Sequence, residues 1–385
     1  MQNITEYLHR HSLDIIEDIK QLVSAESPSN HKDAVDRCGE VLQTIFKLRL
    51  DATVDIHHQH KYGNQLKFTV GSQGEKTIIL GHFDTVWNIG ELRLYEADGK
   101  FYGPGILDMK AGLIQAIWAV RALKYFGQLE DKQIIFLCNS DEELGSPSSK
   151  DWLNLNAQGA TQVLVVEPAV ANTGALKIAR KGSGRYQIKI TGIAAHAGNN
   201  PEEGISAIQE MAHQILSLHA LNAPELGTTV NVGIAHGGGR VNVVADYAEL
   251  GIDTRVTCEN EAIRIDQAIH QLSAVTTGIK LEISGTQTRP PMQITQNSEH
   301  LFSKAQSIAR KLGFSLEAKT VGGGSDGNFT AALGLPTLDG LGATGSGIHA
   351  RHEHILVANI VPRTALLAGM ILEQNADKGE TSCLI

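Results

Sequence analysis

The stretch Gln133–Ser146, QIIFLCNSDEELGS, constrains this chain more than any other. Its apolar run Ile134–Cys138 has the length and composition of a buried strand. The run gives out into three consecutive acids, Asp141, Glu142 and Glu143. In an open α/β sheet, ligands bind beyond the carboxyl ends of the strands. Three carboxylates gathered there repel one another and resist desolvation, so something positive must offset them. Lys150 is the only basic residue close by in sequence, which makes a metal ion the sharper candidate.

Other apolar runs end the same way. Thr77–Gly81 runs straight into His82-Phe83-Asp84. Residues i and i+2 of a strand share a face, so His82 and Asp84 can touch, as a metal-ligating imidazole and its orienting carboxylate do. With 16 His and 42 acids among 385 residues, about one or two such pairs arise by chance, so position has to add weight. Gln162–Val166 then ends at Glu167, followed by Pro168. One acid at a strand end is cheap. Three runs that deliver His82, Glu142/Glu143 and Glu167 to one edge mark that edge as a site. Gly103–Gly112, GPGILDMKAG, leads into a helix through Leu113, Ile117, Val120 and Leu123, with Asp108 where an N-cap would stand. Capping accounts for Asp108 as fully as a ligand role does.

At 385 residues the chain is long enough for two domains, and 39 Gly with 5% aromatic content suit a turn-rich α/β enzyme. The net charge of −9 argues against nucleic acid or an anionic membrane as the main partner. Cys38, Cys138, Cys258 and Cys383 form no C-x-x-C pair, so neither a disulfide framework nor a cysteine zinc site is indicated. No signal pattern opens the chain, no apolar stretch is long enough to span a bilayer, and Ser382–Ile385 is not a prenylation box. The expectation is a cytoplasmic protein. His57, His58 and His60 cluster locally, yet few acids lie near them, and they are read as a solvated strand or hairpin.

Helices are expected over residues 3–25, stopped by Ser27-Pro28-Ser29, and through Val41–Phe46. From about Leu176 the texture changes. Strands at Tyr186–Thr191, Thr229–Ala235, Tyr247–Val256 and Leu281–Ser284, with helices at Ile205–Leu218 and Glu261–Leu272, make a ferredoxin-like unit. We therefore expect an α/β catalytic domain over 1–176 and 287–385, with an α+β domain inserted at 177–286. Near the end, Gly322-x-Gly324-x-x-Gly327 formally matches a dinucleotide fingerprint, but Glu317–Thr320 before it is no buried strand. A loop whose backbone amides receive an oxyanion or carboxylate, Gly323 and Gly324 among them, fits better. His349, His352 and His354 each offer a last ligand, and spacing does not choose.

Together the motifs resemble the metallopeptidases that include zinc aminoacylases, acetylornithine deacetylases and glutamate carboxypeptidases. The matching segments are GHFDTV at 81–86, GPGILDMK at 103–110, DEELGS at 141–146, AHAGNNPEEG at 195–204, GGGSD at 322–326 and GIH at 347–349. The spacing of AHAG and the DEELGS block look most like the glutamate carboxypeptidase branch. The resemblance implies a mostly parallel-sheet, two-zinc aminopeptidase-like domain and an inserted dimerisation or lid domain. It implies His82 and Glu167 on one zinc, Glu143 and His349 on the other, and Asp108 bridging both. Co2+ or Mn2+ are the implied substitutes. Asp84 would orient His82, Glu142 would be the general base, and His196 would stabilise the oxyanion, in several members from the partner subunit. Asn242 and Arg255 match positions that hold a substrate carboxylate, with Arg289 as a helper. A cis peptide is implied at Asp108–Met109. Members often carry an acid shortly after the final ligand, where this chain has His354.

These roles agree with elementary chemistry. Three carboxylates against two divalent ions leave a site able to bind hydroxide and an anionic substrate. Adjacent residues of an extended chain point to opposite sides, which lets Glu142 and Glu143 differ in role. Asp141 has no evident role beyond the surrounding loop. The expected activity is hydrolysis of an amide in a small carboxylate-bearing substrate, by a carboxypeptidase releasing a C-terminal glutamate-like residue. An N-acyl amino acid deacylase is the near alternative, and a nucleotide-binding protein using Gly322–Gly327 the distant one. A homodimer through the inserted domain is the expected assembly.

Overall fold

The computed structural model describes residues 1–373, so Cys383 and the Ser382–Ile385 end lie outside the described residues. The chain divides into two compact units. Of the described residues, the first comprises Met1–Ile178, Ile294–Thr320 and 325–373; the second is Ala179–Gln293 with Val321–Gly324. The second unit therefore runs past the expected 286, because its last strand continues to Arg289. The polar run Thr286-Gln287-Thr288 concealed that continuation from an apolar-pattern reading.

In the first unit a six-stranded sheet has the order Thr53–His57, Gln65–Val70, Lys132–Asn139, Glu75–His82, Gln162–Val165, Thr337–Leu338. The last four run parallel to one another, and the first two join antiparallel at one edge. The exposed Thr53–His57 strand carries the local histidine cluster into solvent, as the scarcity of nearby acids led us to expect. Central strands are buried on both faces, which is why they read as unbroken apolar runs. Ile79, Phe136 and Leu164 pack on one face against Ala111–Tyr125 and Ile360–Leu372. Ile78, Leu80, Leu137 and Val163 pack on the other against Leu153 and Ala157. Phe46 and Phe68 stack with ring centroids 3.6 Å apart, each burying side-chain area worth about 2–3 kcal/mol.

Register aligns the strand ends. His82 pairs with Asn139, Leu80 pairs with Val165, and Phe83 N donates to Asn139 O at 3.0 Å. The chain leaves all three strands at one level of the sheet. One expectation needs correction here. Glu142–Leu144 is a 3-10 turn beyond the strand, so an alternation of extended residues does not separate Glu142 from Glu143. Ala318–Val321 pairs with Leu176–Arg180 as an exposed strand, so no buried strand precedes the glycine loop, as expected.

The second unit is ferredoxin-like. Its antiparallel sheet has the order Thr229–Gly237, Tyr247–Val256, Gly182–Thr191, Lys280–Arg289, with helices Ala207–His219 and Glu259–His270. One sheet face supplies a core of Ile188, Ile190, Leu250 and Ile252 against Ile265 and Ile269. Among the described residues no helix is long and apolar enough to cross a membrane.

Candidate metal centre

His82 closes its strand with a ring only 2% exposed. Its Nε2 lies 3.2 Å from Asp108 Oδ1 and 3.6 Å from Glu167 Oε1. His349 Nε2 lies 3.4 Å from Asp108 Oδ2 and 3.1 Å from Glu143 Oε2. Asp108 thus turns one oxygen to each histidine. A tetrahedral ion with 2.0–2.1 Å bonds spaces its donor atoms about 3.3–3.4 Å apart, and these separations of 3.1–3.6 Å bracket that spacing. Donor chemistry fits as well, since imidazole with carboxylate is a zinc-type set. The donor atoms of His82, Asp108 and Glu143 all lie within 4.8 Å of one another.

Asp84 supports the His82 side. Its carboxylate Oδ1 is 3.4 Å from His82 Nδ1, and its backbone carbonyl is 3.1 Å from the same nitrogen. The same carboxylate accepts from Glu142 N and Glu143 N, each at 3.2 Å, and from Ser29 Oγ at 2.7 Å. One buried aspartate therefore ties the first histidine to the turn that carries both glutamates. Glu167 stands beside two glycines chosen by space: a Cβ on Gly112 or Gly342 would come within 2.1 Å of Val166 O. The Asp108–Met109 peptide is cis, the isomer the resemblance implies.

Three supporting acids escaped sequence reasoning in whole or part. Glu353, not His354, supplies the acid expected shortly after the final ligand. Its buried carboxylate accepts from Trp87 Nε1, Gly105 N, Leu107 N and Asp108 N. His354 instead donates from Nδ1 to His352 O and packs on Tyr102, so of the three histidines His349 is the one that meets the acids. Asp326 accepts from Asn139 and Ser146, bracing the two ends of the acidic turn. Asp141 accepts from Ser148 N and from the Ser148 and Ser149 hydroxyls, which makes it a loop anchor.

The electrostatics show how tightly the cluster is drawn. Burial would depress the His82 imidazole, yet the carboxylates of Asp108, Asp84 and Glu167 hold it well above its ordinary value. Hydrogen bonds to Asp108 and Glu143 raise His349 to about 10. Burial pushes Glu143 up to about 7 against the pull of His349, while the two histidines carry Asp108 far below the usual carboxylate range despite its burial. Protons on the imidazoles occupy the role that cations would take.

The remaining candidates belong to the second unit. His196 is exposed, and its Nδ1 accepts from Gly198 N and Asn199 N at 3.1 and 3.0 Å. A neutral ring so held carries its proton on Nε2 and presents a donor outward. Asn242 lies on the adjoining segment, where its carbonyl accepts from Ala197 N at 3.0 Å. Arg255 forks onto Asp253 at 2.9 and 3.1 Å. Arg289 is buried opposite Ser183. Gly323 and Gly324 turn their carbonyls to the Arg180 guanidinium at 3.0 and 3.1 Å. The amide loop expected there is thus held by its acceptors.

A shared aspartate between paired histidine–carboxylate sets, at the carboxyl edge of a mostly parallel sheet, defines the class: a metallo-hydrolase. The profile of Peptidase family M20/M25/M40 matches residues 78–373, and the chain belongs to that family. Over 377 residues it is 29% identical to carboxypeptidase G2 of Pseudomonas sp. (strain RS-16), covering 94% of this chain and 90% of that protein. It is 27% identical over 370 residues to succinyl-diaminopimelate desuccinylase of Acinetobacter baumannii (strain AYE), covering 87% and 97%. A tripeptidase from Staphylococcus aureus subsp. aureus Mu50 superposes with a TM-score of 0.76 at 25% identity, covering 94% of this chain and 98% of that one. The Bacillus subtilis YXEP protein, described as a dinuclear metal-binding peptidase of the M20 family, shares the fold with a TM-score of 0.65 at 14% identity, covering 94% of this chain and 99% of that one. The nucleotide reading of Gly322–Gly327 gives way to this membership.

Proposed function

We propose that the chain is a zinc carboxypeptidase that hydrolyses the amide bond before a C-terminal glutamate-like residue. The observation that carries the reading is Asp108 facing His82 with one oxygen and His349 with the other. In it, His82, Asp108 and Glu167 would hold one zinc, and Asp108, Glu143 and His349 would hold the second. Bound there, zinc supplies Lewis-acid polarisation of the scissile carbonyl and a water acidified to a pKa of about 7. Glu142 takes the water's proton and delivers it to the leaving nitrogen. Its backbone N–H on Asp84 fixes the turn that presents it. His196 gives its Nε2–H to the oxyanion, a role supported by the two amides that occupy Nδ1. Asn242 and Arg289 bind the substrate carboxylate, and Arg255 joins them only by leaving Asp253.

The full-length likeness to a carboxypeptidase supports this choice of leaving group. The likeness to a desuccinylase favours a second reading, removal of an acyl group from an amino acid. One experiment separates them. The purified protein is stripped with a chelator, reloaded with zinc, and offered peptides ending in glutamate, N-acyl amino acids and free tripeptides. Zinc-dependent release of terminal glutamate is the expected result. Turnover confined to N-acyl amino acids transfers the assignment to the deacylase, and turnover without metal removes both. Assembly is a homodimer through the edge strand Thr229–Gly237, whose Ile234 is 54% exposed; light scattering at the monomer mass would refute it.

A further inference from the structure

We infer that Glu353 is a positioning residue that fastens the His349 half of the centre to Asp108, and so sets the affinity of the second metal more than the first. The inference rests on the two-metal reading above. Glu353 is 1% exposed, and each of its oxygens takes two donors. Oε1 accepts from Leu107 N at 2.8 Å and Asp108 N at 3.1 Å. Oε2 accepts from Trp87 Nε1 at 2.7 Å and Gly105 N at 3.2 Å. Every partner is an N–H, so only an ionised carboxylate satisfies all of them; an amide would turn its own N–H2 against at least one.

The loop that carries His349 is the tip of a hairpin, paired only at its base, where Gly345 faces Ile355 and Ser346 faces His354. His349 sits at φ +57° with its side chain 49% exposed, just after Gly347 at φ +87°. Tight turns, Ala350 N to Gly347 O at 2.8 Å and Glu353 N to Ala350 O at 2.9 Å, connect it rigidly to Glu353. Anchoring Glu353 on the Gly105–Asp108 backbone therefore fixes His349 against the oxygen it faces. His82 needs no such tether, being a buried strand residue braced by Asp84.

The test is titration of the metal-free, full-length protein with cobalt(II), read by calorimetry and visible absorbance, with thermal unfolding alongside. Wild type takes up two ions. In Glu353→Gln the second association weakens about 10–100-fold while the first stays within about threefold. Trp87→Phe removes one donor and keeps a ring in place, and it shows the same asymmetry at about tenfold or less. If Glu353→Gln fails to fold, Trp87→Phe and Glu353→Asp carry the comparison. Equal weakening of both sites, or no change in either, overturns the inference, since a merely structural acid would move both together. Wild type binding fewer than two ions overturns the two-metal reading instead.

Discussion

The two halves of the proposed metal centre are built from different material. His82 and Glu167 follow directly from parallel strands and are almost wholly buried. His349 and Glu143 ride on turns, with His349 half exposed and in left-handed backbone. Strand ends are fixed by the ladder and by apolar packing on both faces, so their ligands are placed by the fold itself. Turn ligands are placed by polar tethers, Asp84 to the Glu143 backbone and Glu353 to the His349 loop. The strand half is thus costly to disturb, and the turn half is tunable. Asp108 joins them.

Glu142 tests whether chemistry can be separated from either half. Glu142→Gln lowers kcat by about 10²–10⁴-fold while zinc analysis still finds two ions per chain. Activity near wild type would remove Glu142 from the mechanism. Paired deletions then set the halves against each other. In the metal-free protein, His82→Ala leaves Asp84, Asp108 and Glu167 facing one another without their buried cation, a loss of about 3–5 kcal/mol in denaturant unfolding. His349→Ala unfolds near the wild-type midpoint and binds one ion. Equal destabilisation by the two would break the comparison. Dialysis against a graded chelator gives a milder version: the ion of the His349 half leaves at lower chelator, and that step is missing in His349→Ala.

What the sequence made legible follows the same division. Apolar runs ending in acids revealed His82, Glu142, Glu143 and Glu167, because strand burial leaves a pattern in consecutive residues. Asp108 stayed ambiguous, since a helix cap and a bridging ligand leave the same local trace. Glu353 was invisible in a segment crowded with histidines, where His354 drew the attention. Its partner Asp108 lies 245 residues away, and no local periodicity encodes such a bond. Asp326 was absorbed into a glycine loop read for its amides, and its partners Asn139 and Ser146 lie 187 and 180 residues away. Arg289 joined the second unit only because a strand ran on through polar residues. The ferredoxin-like unit, one face apolar and one solvated, was plain from alternation.

The smallest effect is the most discriminating. Ser29 appeared in sequence only as part of a helix stop, yet its hydroxyl donates to Asp84 Oδ2 at 2.7 Å and is itself buried. Its backbone N–H also donates to Thr85 O at 3.1 Å, so the loop stays docked when the hydroxyl is removed. Ser29→Ala therefore deletes a hydroxyl shared between the ionised Asp84 carboxylate and Thr85 O at 3.0 Å, with little change of shape, for a loss of about 1–2 kcal/mol. Asp84 then orients His82 less firmly, and the expectation is a fall of about tenfold or less in affinity for the first cobalt ion. The second ion should bind as in wild type if Asp84 reaches the turn half only through the backbone amides of Glu142 and Glu143. A second-site loss larger than the first would show that Asp84 governs the turn more than the strand, and the two halves would have to be redrawn around it.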